Sequence, residues 1–71
     1  MNQADLAKLL HDDYGFSKAE SDRVMKTILD TIRQELKQNR QVRLRSFGTF
    51  ATAKAAGKRR ARFRDSKNFF R

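Results

Sequence analysis

Apolar residues recur at helical spacing through the first half of the chain and at every second position in parts of the second half, so the period divides the sequence near Asn39. In the first segment, Leu6, Leu9, Leu10 and Tyr14 follow a 3.6-residue period. Asn2, three residues ahead of Asp5, offers an N-cap, and Gly15 offers a stop at the C-terminal end. These signals predict a helix over about 3–14. Ser17 and Glu20 then form an S-x-x-E capping box, and Val24, Met25, Ile28, Leu29, Ile32 and Leu36 continue at i, i+3, i+4 spacing. The second helix is expected over about 18–38. Its link to the first, Gly15-Phe16-Ser17, sets the pair antiparallel or steeply crossed. The second helix carries an apolar stripe wider than the first can cover. That excess predicts a second copy of the chain, with Val24, Ile28, Ile32 and Leu36 in the shared core.

Beyond Asn39 the pattern is that of strands. In Gln41-Val42-Arg43-Leu44-Arg45 the apolar residues alternate with arginine, placing Val42 and Leu44 toward the helices and Arg43 and Arg45 on the other face. Ser46-Phe47-Gly48-Thr49-Phe50 reads as a tight turn into a second strand that reaches Lys54, and Ala55-Ala56-Gly57 reads as a reversal with glycine free to take positive φ. Lys58-Arg59-Arg60-Ala61-Arg62-Phe63-Arg64 alternates again: Lys58, Arg60, Arg62 and Arg64 share one side, Ala61 and Phe63 the other. Asp65 or Ser66 can cap a short last helix from Lys67 to Arg71, with Phe69 or Phe70 folding back on the sheet. The fold class is therefore α+β: two N-terminal helices, a three-stranded antiparallel sheet and a short C-terminal helix, in one domain over 1–71.

Charge sharpens this division. Residues 1–39 hold six basic and seven acidic residues, a net of −1, whereas residues 40–71 hold eleven basic residues against Asp65 alone, a net of +10. A solvated surface mixes both signs; a one-signed block attracts a polyanion. The alternation gathers Arg43, Arg45, Lys58, Arg60, Arg62 and Arg64 on the sheet face away from the helices. Arginine dominates, and its planar fork suits phosphate oxygens. The expected partner is a nucleic acid held by its backbone, with an anionic membrane, an acidic protein or simple solubility as other uses of the charge. Ala51, Ala53 and Ala55, outward on the middle strand, let a phosphodiester backbone approach closely.

Other chemistries find little support. The chain has no cysteine, so a disulfide framework, a thiolate metal site and a thiol nucleophile are all excluded, and a reducing, intracellular setting is the expectation. His11, the single histidine, sits beside Asp12 and Asp13 and reads as a helix-end residue, with no second ligand at metal spacing. No catalytic constellation, glycine-rich phosphate loop or cofactor motif is present, and no apolar run approaches the roughly 20 residues that cross a bilayer. The chain does not read as an enzyme. Phe47 and Phe50 could stack bases, and Arg45 to Phe50 distantly echoes the RNA-recognition signature, but that fold opens on a strand. With Phe63 and Leu44, both are expected in the core, which a lone chain of this length needs.

Three segments, Met1-Asn2-Gln3-Ala4-Asp5-Leu6, Gly15-Phe16-Ser17-Lys18-Ala19-Glu20 and above all Val42-Arg43-Leu44-Arg45-Ser46-Phe47-Gly48-Thr49-Phe50, resemble the HU/integration host factor family of bacterial histone-like proteins. The third is similar to that family's V-x-L-x-x-F-G-x-F segment. Phe63-Arg64-Asp65-Ser66-Lys67 resembles its F-K-P-G-K lead into a C-terminal helix. The resemblance implies an intertwined homodimer, a saddle-shaped sheet that cups duplex DNA, and an architectural role in the nucleoid of the cytoplasm. It implies dimer-core roles for Phe47, Phe50 and Phe63, and phosphate contacts from Arg43, Arg45, Arg64 and Lys67. The family's long arm, which kinks DNA with a proline wedge, has only Ala51 to Arg62 in its place here. The chain contains no proline. Together these readings give Arg43, Arg45, Lys54, Lys58, Arg59, Arg60, Arg62, Arg64 and Lys67 as candidate DNA contacts. An RNA or ribosomal partner on the same face, and a heterodimer with a full-length relative, are the alternatives.

Overall fold

A computed structural model describes residues Met1–Arg71 as two helices followed by a three-stranded antiparallel sheet: α1 (Gln3–Tyr14), α2 (Lys18–Lys37), β1 (Val42–Leu44), β2 (Gly48–Ala55) and β3 (Lys58–Asp65). The chain forms two compact units, Met1–Thr31 and Ile32–Arg71.

In the first unit, both helix starts are closed capping boxes, where the sequence predicts a box at Ser17 and an N-cap at Asn2. The Asn2 side chain accepts from the Asp5 amide at 3.0 Å while the Asp5 carboxylate accepts from the Asn2 amide at 2.9 Å. Ser17 and Glu20 repeat the exchange at 3.1 and 2.9 Å, so two otherwise orphaned amides are satisfied at each start. Gly15, at φ 74°, ends α1 in the left-handed conformation that glycine adopts without a Cβ clash. Ala7, Ser21 and Met25 are the buried residues of this unit.

The second unit contains the last turns of α2 and the sheet. Asn39, at φ 59°, takes the left-handed position after the helix; Arg40 N–H donates to Glu35 C=O and Asn39 N–H to Leu36 C=O, the paired bonds of a Schellman ending. The Arg40 side chain adds two bonds to the Glu35 carboxylate, at 2.6 and 3.2 Å. A three-residue loop, Arg45 to Phe47, joins β1 to β2, with Phe47 N–H donating to Leu44 C=O. β2 and β3 pair along their whole length from Gly48 with Asp65 to Ala55 with Lys58. The reversal between them is only Ala56-Gly57, at φ 53° and 76°, the two positive values of a type I′ turn that matches strand twist.

The aromatic residues gather in this unit. Phe63 lies 5.0 Å from Phe50 and 5.3 Å from Phe47, ring centre to ring centre, and Phe69 reaches Phe47 at 5.0 Å, all in the tilted geometries that aromatic quadrupoles favour. Phe69 thus folds back as expected, while Phe70 is left exposed.

Two expectations are corrected. The segment Lys67 to Arg71 forms turns and no helix: Phe69 N–H donates to Ser66 C=O, Arg71 N–H to Asn68 C=O, and Ser66 Oγ accepts from the Asn68 amide. Five residues cannot offset helix nucleation, and the pull of Phe69 onto the ring cluster sets the path instead. β1 is shorter than Gln41–Arg45, so Arg45 sits in the loop and the strand alternation does not reach it.

Candidate nucleic-acid interface

Residues directly opposite each other in an antiparallel sheet share a face. The register therefore resolves which cations act together. Arg64 pairs with Thr49, which pairs with Arg43; Arg62 pairs with Ala51, Arg60 with Ala53 and Lys58 with Ala55. One face of the sheet accordingly carries Arg43, Lys58, Arg60, Arg62 and Arg64 beside small residues of β2. All five cations are exposed. At about 3.4 Å per residue, those of β3 recur roughly every 6.8 Å over about 20 Å.

The opposite face holds Val42, Leu44, Phe50, Thr52, Ala61 and Phe63, and also Lys54, which pairs with Arg59. This face is bonded to the end of α2. Thr52 Oγ1 donates to Asn39 Oδ1 at 3.4 Å, and Arg59 Nη1 donates to Lys37 C=O at 2.9 Å and to Asn39 Oδ1 at 3.1 Å. The cationic face consequently looks away from the α2 C-terminus. Its five cations make no hydrogen bond or ion pair with the rest of the chain, in contrast to Arg40 and Arg59.

Of the nine candidate contacts, five are thus brought together. Lys54 and Arg59 lie on the other face, Arg45 in the β1–β2 loop and Lys67 in the C-terminal turns, all exposed. Sequence reading missed Thr49, whose place between Arg43 and Arg64 adds a residue with a hydroxyl donor to the cationic row. Its signal was present in the strand alternation, at an odd position of β2 like Ala51 and Ala53.

Of the expected core residues, Leu36 is buried, Val24, Ile32 and Phe50 are half-buried, and Ile28, Leu44, Phe47 and Phe63 stay 40–48% exposed in the single chain. Two carboxylates of α2 have lowered pKa values. Glu20 is held below the ordinary carboxylate range by the Ser17 amide, then by the Ser17 hydroxyl and the charge of Arg23; Glu35 is held down by its bond to Arg40. None of the helices is long and apolar enough to cross a membrane, and no group of acidic or histidine side chains is placed to hold a metal.

The sequence profile of the family described as "Bacterial DNA-binding protein" matches residues 1–69. Integration host factor subunit alpha of Chromohalobacter salexigens is 42% identical over 50 residues, covering 70% of this chain and 49% of that protein. The same subunit from Saccharophagus degradans is 38% identical over 50 residues, covering 70% and 50%. The chain thus spans about half the length of the curated relatives it matches. Among solved structures, an HU variant from Thermotoga maritima superposes with a TM-score of 0.84 at 25% identity, covering 96% of this chain and 92% of that one. An Anabaena HU–DNA cocrystal structure gives 0.80 at 21%, covering 97% and 92%, which is a likeness of fold. With its capped helix pair, its three-stranded sheet and a profile match over nearly its whole length, the chain belongs to the bacterial DNA-binding protein family of HU and integration host factor, nucleoid-associated proteins.

Proposed function

We propose that this chain binds duplex DNA without sequence preference through the face that carries Arg43, Lys58, Arg60, Arg62 and Arg64, acting as a homodimer that coats or compacts DNA. The observation that carries this is five exposed, unpaired cations on one side of the sheet. Guanidinium groups spaced along a strand meet phosphates and read no base edges, so affinity comes from counterion release. The family membership and the cocrystallised HU neighbour support DNA as the polyanion. A dimer would cover Ile28, Leu44, Phe47 and Phe63, which the single chain leaves partly exposed, and doubles the charge of +9 to +18, which favours steered association. The chain has no proline and its hairpin closes in two residues, so the complex forms without a proline wedge between base steps.

Binding to duplexes of unrelated sequence across a salt series tests this. Affinity should fall by orders of magnitude from low to physiological salt, and the double variant Arg60→Ala/Arg62→Ala should weaken all sequences alike while lowering the logarithmic salt slope by about 1.8 per protomer. A flat salt response, loss confined to one sequence, or stronger binding to structured RNA at matched salt would each refute it.

A further inference from the structure

The cationic cluster Lys58-Arg59-Arg60 looks uniform in sequence, yet the sheet divides it. Arg59 faces the side of Phe50 and Thr52, and a single guanidinium nitrogen of Arg59 serves two acceptors, Lys37 C=O at 2.9 Å and Asn39 Oδ1 at 3.1 Å. Lys37 is the last residue of α2, so its carbonyl is among those the helix leaves without an internal partner, at the negative end of the helix dipole. Asn39 is the left-handed residue that ends the helix, and its side-chain oxygen also accepts from Thr52. One node therefore joins β2, β3 and the end of α2, across 13 to 22 residues of sequence. One nitrogen of the Arg59 guanidinium is engaged there.

We propose that Arg59 is a positioning residue: it latches the β2–β3 hairpin to the α2 C-terminus and makes no phosphate contact, holding the opposite face so that its cations meet the DNA backbone as one rigid row. This rests on the proposal that the opposite face binds DNA. Two kinds of loss are then distinct. Removing a phosphate contact lowers affinity and salt slope together, whereas releasing the latch lowers affinity at an unchanged slope, because the same phosphates are met by a less ordered surface.

The test measures duplex DNA affinity across a salt series at a temperature well below melting, for Arg59→Gln, Asn39→Gly, their double variant and Arg60→Gln. Asn39→Gly removes the shared acceptor, keeps the positive φ and changes no charge. Both latch variants should bind roughly three- to tenfold more weakly at the wild-type salt slope, and the double variant should be no weaker than either alone. Arg60→Gln should lower the slope by about 0.9 per protomer. A slope reduction in Arg59→Gln equal to that of Arg60→Gln would overturn the latch and make Arg59 a phosphate contact. So would wild-type affinity in folded Asn39→Gly. An unchanged slope in Arg60→Gln would instead overturn the cationic-face reading and this proposal with it.

Discussion

At Gly48 the side chain is missing because there is no room for one. A Cβ built there would lie 2.5 Å from the Arg64 carbonyl oxygen and 2.5 Å from Cζ of Phe63. The first is backbone in the β2–β3 ladder and the second belongs to the ring cluster, so neither gives way freely. Gly48→Ala should therefore destabilise by about 1–3 kcal/mol through overpacking, read as a drop in thermal midpoint; an unchanged midpoint would show that the strand can separate at this point. Ala56 presents the opposite case. It holds φ 53° in the hairpin turn although a Cβ disfavours that region, and asparagine is a preferred residue there. Ala56→Asn should stabilise by about 0.5–1 kcal/mol in denaturant unfolding with an unchanged slope.

Among the elements, α2 begins on a charged cap and ends on a charged clasp. Glu20 and Glu35 both have folded pKa values below their ordinary value of 4.5, Glu20 mainly through the Ser17 amide and Glu35 mainly through Arg40. A depressed carboxylate pKa means that the stabilisation is fully present above about 4.5 and disappears as pH falls through the lowered folded value. Thermal stability should drop on that acid limb, and Glu20→Gln should flatten the limb while leaving the raised-pH side unchanged. Ser17→Ala, which removes the hydroxyl that receives the Glu20 amide, should cost about 1 kcal/mol at neutral pH. A variant with the wild-type acid limb would show that the cap carries none of this dependence.

Much of this element-level structure was legible in advance. The Asn2 cap, the Ser17–Glu20 box, the Gly15 stop and the two-fold alternation of Lys58 to Arg64 all depend on residues within four positions of one another, where the geometry of a helix or a strand leaves little choice. Arg45 was misplaced because strand length is decided by pairing: β1 stops where Leu44 meets Gly48, and alternation has no meaning beyond that pair. The C-terminal helix failed for a related reason, since the attraction of Phe69 to Phe47 and Phe63 outweighed a weak local preference.

For the whole molecule, the balance between burial and charge governs. A single chain buries only Ala7, Met25 and Leu36 among its apolar residues while ten large hydrophobic side chains stay exposed, and it does so against a net charge of +9. Such a chain has little margin alone. If a second copy covers Ile28, Leu44, Phe47 and Phe63, the thermal midpoint should rise with protein concentration, and sedimentation should return twice the 8.3 kDa mass. A midpoint constant over a wide range of concentration, together with the mass of one chain, would reject the homodimer.

The two capped helices, the strand alternation and the gathering of cations on one side of β3 follow from residue order alone, because capping and side-chain period are short-range consequences of backbone geometry. The bonding of the Arg59 guanidinium to the end of α2, and the packing of Phe69 rather than Phe70 against Phe47 and Phe63, are set by the folded chain. Those outcomes depend on which carbonyls and rings arrive opposite one another after the chain has folded back across 20 or so residues, and no local pattern carries that information.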